Sequence, residues 1–525
     1  MPAALAIADD ARRRAAGLSP EAATGWLIAL TALLRLLVAA TGHLCYGESY
    51  YFAYVRRPSL SYFDHPPLSF WLGSLSVRLL GNPGPLALRL PFVLMFAATT
   101  WLFFLIGRRL FGAWPGFYAT LLMNAAPAFS LRVGFWLGPE GPLMLFWLAC
   151  IWCLIELLLT EPVPHPFRWW GAAGLMLGLG LLSKYLMGLL LPTVALYVMS
   201  RPDLRRWLLR PGPYLALLVA LLVVTPVLVW NAQHGWISLL WQGQRGVAFR
   251  GIRLDRMLWN VAGQSIELLP WLWIGLVGEL GRILLTWRTA GPERRFIGCL
   301  AALPILLFTG IAAYAPIGNH FYWGMVGYLL LFLPLGETVH RALERGSLLA
   351  RRWLRASVIL GLAVMTIAVT HTATGWLKAV PSALARPFVG LPDPTLECID
   401  WTELQEALAA RGILDRRHLF LFTDRWFRSG KVEYALRGAM PVLCLHGDPR
   451  GWAFFERSEG WVGQEGILIT EKTDLKQVAD AYGSYCAGID PMPPVVISRG
   501  GRPEVTLHLY RCKRLLRPYP RPYGG

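Results

Sequence analysis

Apolar residues along this chain run in blocks of about 18 to 22 separated by short polar turns, the length a helix needs to cross a bilayer. Roughly eleven such blocks lie at 23–42, 90–110, 114–133, 138–160, 168–182, 185–200, 213–231, 265–286, 296–315, 321–340 and 354–374. Only Ser183-Lys184 separates the fifth from the sixth. Beyond about residue 376 the pattern changes to that of a water-facing domain. Trp401 to Leu408 repeats with helical period, while Leu419–Phe422, Gly466–Ile469 and Pro494–Ile497 are short apolar runs suited to buried strands. The pattern predicts an α-helical polytopic membrane protein with a small C-terminal α/β domain. It divides the chain into an N-terminal segment at 1–22, a membrane domain at 23–375 and the C-terminal domain at 376–525.

Composition agrees with this division. The 525 residues are 55% hydrophobic and 16% charged, with mean hydropathy +0.44. One soluble core cannot hide so much apolar surface. Residues 1–20 are polar and basic and precede a block long enough to stay in the membrane, so no cleavable signal peptide is expected.

The net charge of +18 is spread over short loops rather than gathered into a nucleic-acid face, and nucleic-acid binding is not expected. If the N-terminus is cytoplasmic, alternate loops on that side carry eighteen arginines and the opposite side ten cationic residues. This asymmetry places the long loops 43–89 and 232–264, and the C-terminal domain, outside the cytoplasm. Cys150 and Cys153 sit in an apolar block with no second pair, which argues against a metal or redox role. Cys398, Cys444, Cys486 and Cys512 allow one or two disulfides or buried thiols.

Candidate chemistry concentrates in the first outer loop. Gly47-Glu48-Ser49-Tyr50-Tyr51 and Tyr62-Phe63-Asp64-His65-Pro66-Pro67 bring two carboxylates, a histidine and several rings to the membrane boundary, where ionisable groups are costly unless used. Glu48 and Asp64 suit general-base work, or simply helix capping and pairing with Arg56 and Arg57. The same loop carries Leu68, Phe70, Trp71, Leu72, Leu75 and Leu79 at helical spacing, the mark of a helix lying in the interface. In the second loop, Trp236, Trp241, Arg245, Arg250, Arg253 and Arg256 suit anionic head groups.

Glu140, in Gly-Pro-Glu-Gly-Pro, is a further acid or a helix cap. Lys184 suits a phosphate or snorkels to the interface. His320 suits a phosphate or sugar hydroxyl, or belongs to an aromatic belt. Tyr50, Tyr51, Tyr62 and Trp230 suit sugar stacking. No nucleotide-binding glycine loop is present. No metal motif stands out, although a divalent cation bridging Glu48, Asp64 or Glu140 fits the residue types.

These motifs resemble those of bacterial GT-C membrane glycosyltransferases, in the group of protein O-mannosyltransferases and lipid A aminoarabinose transferases. The group's Asp-Glu-x-Tyr-Tyr is matched by Gly47 to Tyr51, its Tyr-Phe-Asp-His-Pro-Pro by Tyr62 to Pro67, its Thr-Pro-Asp by Gly138-Pro139-Glu140 and its Leu-Ser-Lys-Tyr by Leu182 to Tyr185. Pro226 to His234 is similar to the bacterial branch; Ser429 to Tyr434 and Asp448-Pro449-Arg450 extend the likeness into the C-terminal domain. Gly47 stands where the group has its first acid.

The resemblance implies transfer of a sugar from a polyprenyl-phosphate donor to a lipid, glycan or protein acceptor at the outer face of a bacterial inner membrane. It implies Glu48 or Asp64 as base, Glu140 as second acid, Lys184 and Arg89 near the phosphate, His320 near the donor head group, and Tyr50, Tyr51 and His65 lining the substrate. A transporter or flippase of a lipid-linked substrate is the alternative, though no internal repeat supports it.

Overall fold

In the computed structural model, residues 17–247, 251–315, 321–380 and 393–523 are described. Helices dominate: α1 Pro20–Thr41, α2 Tyr46–Arg56, α3 Leu68–Leu80, α4 Pro85–Phe111, α5 Ala113–Ala125, α6 Glu140–Leu158, α7 Pro166–Ser183, α8 Leu190–Ser200, α9 Pro211–Gln233, α10 Ile237–Val247, α11 Leu254–Leu268, α12 Pro270–Leu285, α13 Pro292–Ala312, α14 Met325–Glu344 and α15 Leu348–Thr374. Among the described residues, seven helices are long and apolar enough to cross a membrane, or eight if the bent pair α11–α12 is one span.

The other four expected blocks, 114–133, 168–182, 185–200 and 265–286, fall short for local reasons. Pro127 cannot continue α5, and a π-helical turn at Ala128–Val133 follows it. The helix α7 stops at Lys184, whose backbone is extended, and only a short 3-10 turn and α8 follow. The expected span 265–286 bends by 110°. Pro270 offers no N–H and disfavours helix at Leu269, which adopts φ 70°.

The chain forms two compact units. The first comprises Met1–Leu37, Leu90–Thr225 and Gly243–Met365. Its core gathers Phe103, Phe129, Trp147, Leu300 and Phe332. Small residues bring its helices together: a Cβ at Gly107 would stand 2.7 Å from the Gly116 Cα. Such contacts supply the van der Waals packing that holds helices together where lipid offers no hydrophobic drive. The segment Phe321–Glu344 is buried over 83% of its most apolar window.

The second unit comprises Val38–Arg89, Pro226–Gln242 and Thr366–Gly525. It contains α16 Thr402–Ala410, α17 Trp426–Ala435 and α18 Leu475–Tyr482, with a five-stranded sheet of β1 Leu419–Thr423, β2 Val442–Cys444, β3 Glu465–Thr470, β4 Ile489–Arg499 and β5 Arg502–Cys512. The strand order is β2-β1-β3-β5-β4; β1 lies parallel to β2 and β3, and the β4–β5 hairpin joins antiparallel to β3. The three expected strands are present. The missed two were obscured by brevity in β2 and by the charged positions of β5.

α3 forms as expected, but its packing differs from a simple amphipathic reading. Phe70, Ser69, Ser74 and Ser76 are buried, while Leu75, Leu79 and Leu80 are exposed. The serines reach backbone acceptors at 2.6 Å, Ser74 on Val55 O and Ser76 on Ala87 O. Small polar residues therefore pack inward and leucines face out, the arrangement of a helix in contact with lipid.

Two disulfides tie this unit, Cys45–Cys398 and Cys486–Cys512, while Cys444 is a buried free thiol. The first joins residues 353 apart in sequence, so it bonds the first outer loop to the C-terminal domain. Non-reducing peptide mapping is expected to recover both pairs. Cys398→Ser is expected to cost about 2–5 kcal/mol of stability, read as a lowered melting temperature; an unchanged melt would remove the structural role of this bridge.

Candidate functional site

Glu48 and Asp64 occupy different networks within the second unit. Glu48 sits in the first turn of α2, where its carboxylate accepts the Cys45 N–H at 3.1 Å and so closes the helix start. Arg89 grips the same carboxylate at both oxygens, Nε to Oε1 at 2.8 Å and Nη2 to Oε2 at 2.6 Å. Arg89 also donates to Gly42 O and His43 O, each at 2.8 Å. Glu48 is 1% exposed and Arg89 2%. Arg89, expected near a phosphate, is thus the buried counter-ion of Glu48, and the fork geometry of a guanidinium explains why arginine stands there.

Asp64 is also buried. Its Oδ1 accepts from Tyr54 at 2.6 Å and Tyr50 at 3.2 Å, its backbone carbonyl accepts from Gln242 at 2.7 Å, and Arg450 stands 3.9 Å from Oδ2. Burial first, and the neighbouring Asp64 charge second, hold both phenols well above their ordinary pKa, so they remain donors. The Arg450 guanidinium lies 4.0 Å from the Trp426 ring centroid. Tyr50 is 1% exposed and packs edge-on to Trp426, so its ring is core rather than a sugar platform. Tyr51 is half-buried and bonds His65 Nε2 at 2.9 Å. Arg56 and Arg57 do not serve Glu48 or Asp64; both pair with the buried Glu433 at 2.6 and 2.7 Å. A Cβ at Gly47 would meet nothing within 4 Å, so packing does not require glycine there.

Lys431, on α17, lies within the Ser429–Tyr434 segment and is not among the expected site residues. It is buried and donates to Leu44 O and to Ile399 O, the carbonyls beside the Cys45–Cys398 bridge. Gly430 precedes it because α17 meets α2 there: a Cβ would lie 2.6 Å from the Tyr50 backbone nitrogen. Desolvation draws the Lys431 ammonium down to about 7, against the pull of Asp400 and Glu48.

In the first unit, two residues expected separately come together. Lys184 Nζ lies 2.8 Å from Glu140 Oε1. Glu140 opens α6 and Lys184 closes α7, the helix packed against it. The Tyr322 ring gathers a second cation beside the first: Lys184 Nζ is 5.0 Å and Arg132 Cζ 4.3 Å from its centroid. Arg132 also approaches Glu267 at 3.8 Å. No spacing in the sequence links Arg132 to Lys184 across 52 positions; its place eight residues before Glu140 is the one cue the sequence offers.

His320 lies outside the described residues. Among the described residues no group of three or more His, Cys, Asp or Glu could hold a metal ion.

Residues 64–230 match the dolichyl-phosphate-mannose-protein mannosyltransferase family. The undecaprenyl phosphate-alpha-4-amino-4-deoxy-L-arabinose arabinosyl transferase of Pectobacterium atrosepticum is 27% identical over 260 residues, 48% of this chain. The match spans 45% of that relative's length. The crystal structure of ArnT from Cupriavidus metallidurans in the apo state superposes with a TM-score of 0.59 at 15% identity, covering 93% of this chain and 98% of that one. The same protein bound to undecaprenyl phosphate gives 0.58 at 16% identity, with the same coverage of 93% and 98%. At these identities the likeness shows a shared fold.

Two outcomes follow from the buried charges. Arg89→Met leaves Glu48 buried without its counter-ion and is expected to cost about 3–5 kcal/mol, with part recovered in Arg89→Met/Glu48→Gln, both read by thermal unfolding in detergent. For Lys431 the folded value lies below the unfolded value of about 10.4, so between them the unfolded chain binds the extra proton. Stability is therefore expected to rise from about pH 7 to about pH 10, and this increment should vanish in Lys431→Met; equal pH slopes for the two proteins would refute it.

Proposed function

We propose that this chain, which is similar to GT-C membrane proteins of the mannosyltransferase and aminoarabinose-transferase group, moves a sugar from a polyprenyl-phosphate carrier to a lipid or glycan acceptor at the outer face of a bacterial inner membrane. The observation that carries this reading is the cluster of Glu140, Lys184, Arg132 and Tyr322, where an acid and two cations converge at helix ends. Sugar transfer from a phosphate carrier needs those elements: cations for the leaving phosphate and a carboxylate for the acceptor proton. The undecaprenyl phosphate-alpha-4-amino-4-deoxy-L-arabinose arabinosyl transferase among its relatives supports the donor class, as does the structurally similar ArnT bound to undecaprenyl phosphate. The matched relatives are transferases, and the transporter reading draws no support from them.

In this reading Lys184 and Arg132 bind the phosphate of the carrier, and Lys184 then exchanges part of its hold on Glu140 for the phosphate. Glu140, relieved of that partner, accepts the acceptor's proton. The acceptor oxygen attacks the anomeric carbon, a new glycosidic C–O bond forms, and the bond between that carbon and the phosphate oxygen breaks. The electron pair leaves with polyprenyl phosphate, whose charge the two cations balance. A single displacement of this kind inverts the anomeric centre. Glu48 is assigned a structural task, because Arg89 and the Cys45 amide engage its carboxylate. The two disulfides favour an oxidising compartment for the C-terminal domain, in keeping with an extracytoplasmic location.

Incubation of the detergent-purified protein with a polyprenyl-phosphate sugar is expected to release polyprenyl phosphate slowly. Glu140→Gln should lower that rate by about 100-fold or more while still binding the donor, and Lys184→Ala should weaken donor binding by about tenfold. Wild-type rates in Glu140→Gln would remove its role, and turnover-free movement of the lipid across vesicles would favour transport.

A further inference from the structure

Arg35 is a charge inside a membrane-spanning helix. It lies on α1, is 7% exposed, and among the described residues no carboxylate pairs with it. A guanidinium at such a depth is expensive and is kept where it serves a function. Its hydrogen bonds converge on the junction of α5 and the π-helical turn. Nη2 donates to Asn124 Oδ1 at 3.0 Å and to Ser130 Oγ at 2.9 Å, Nε donates to Ser130 O at 3.3 Å, and the Phe96 ring lies 4.4 Å from Cζ.

Asn124 is near the end of α5, and Ser130 is in the middle of the π-helical turn Ala128–Val133. Ser130 in turn donates its hydroxyl to Asn124 O, which closes the loop between the two. Gly134 follows the turn because a Cβ there would stand 2.6 Å from Arg35 Nε.

That turn carries Arg132, two residues from Ser130. A π-turn leaves carbonyls without their usual helical donors and holds its shape only if something else meets them. Here the guanidinium meets one such carbonyl, Ser130 O, and its rigid fork also holds the Ser130 hydroxyl and the Asn124 side chain, a spread that a single ammonium cannot span.

We propose that Arg35 is a positioning residue: by clamping Asn124 and Ser130 it fixes the π-turn so that Arg132 is presented to the anionic group of the lipid carrier. The inference rests on the assignment of Arg132 to the carrier phosphate. Arg35 itself touches no reacting atom; it acts through the turn.

The test is a double-mutant cycle on the full-length protein in detergent, with the Kd of a medium-chain polyprenyl phosphate as readout. Arg35→Gln is expected to weaken binding about tenfold in the wild-type background and less than about twofold in the Arg132→Gln background, because the same contact is lost in both. Arg35→Lys keeps the charge but not the fork, and its Kd is expected to stay near that of Arg35→Gln. Full additivity with Arg132→Gln, recovery in Arg35→Lys, or a lowered melting temperature with an unchanged Kd would each overturn the proposal. Should Arg35→Gln not fold, Ser130→Ala and Asn124→Ala remove the acceptors instead and are judged by the same additivity. A wild-type protein that binds no polyprenyl phosphate would refute the carrier assignment; binding that depends on Arg132 but not on Arg35 would refute this inference alone.

Discussion

The bond between Glu48 and Arg89 sets the terms for the second unit. Both groups are almost fully buried, and a charge so placed must have its partner and its hydrogen bonds or the segment will not hold. The pair fastens the first turn of α2 to the carbonyls of Gly42 and His43. With that turn fixed, Tyr50 and Tyr54 line up on α2 to meet Asp64. Close contact between α2 and α17 then depends on Gly430. Burial alone does not make a charge a reacting one: the carboxylate in the most distinctive motif is held by Arg89 and the Cys45 amide, the contacts of a fastening.

The same rule sorts the other ionisable groups. Glu433 is met by two arginines, and Lys431 by two carbonyls at the foot of a disulfide. In both, the buried group itself, Glu433 or Lys431, is held by partners that the fold supplies. The cluster of Glu140, Lys184, Arg132 and Tyr322 is different in kind. Its members are only partly shielded, Lys184 at 14% and Glu140 at 17% side-chain exposure, so a ligand can reach them. Exposure and mixed charge at helix ends suit a group that must accept an anion in one step and a proton in another.

Arg35 stands apart from both kinds. It is closed like the structural pairs, yet its partners are neutral, and the charge is therefore not cancelled where it sits. The first unit thereby keeps positive potential beside the π-turn, in a setting where low polarity lengthens its reach. A membrane protein that handles a phosphate has use for such a group, provided the turn it supports is kept in shape.

The sequence by itself determined the membrane character, the positions of the long helices, the presence of a small α/β domain and the family resemblance, because bilayer thickness imposes a length on apolar blocks that nothing else in a globular chain demands. It also marked Glu140 and Lys184 as separate candidates. Tertiary structure alone decided that these two touch, that Arg132 joins them, that Glu48 belongs to Arg89, and that Cys45 pairs with Cys398 across 353 positions. Those contacts join residues far apart along the chain. Local periodicity reports which face of a helix is apolar, but it carries no record of which distant side chain will stand opposite a given charge once the helices have packed.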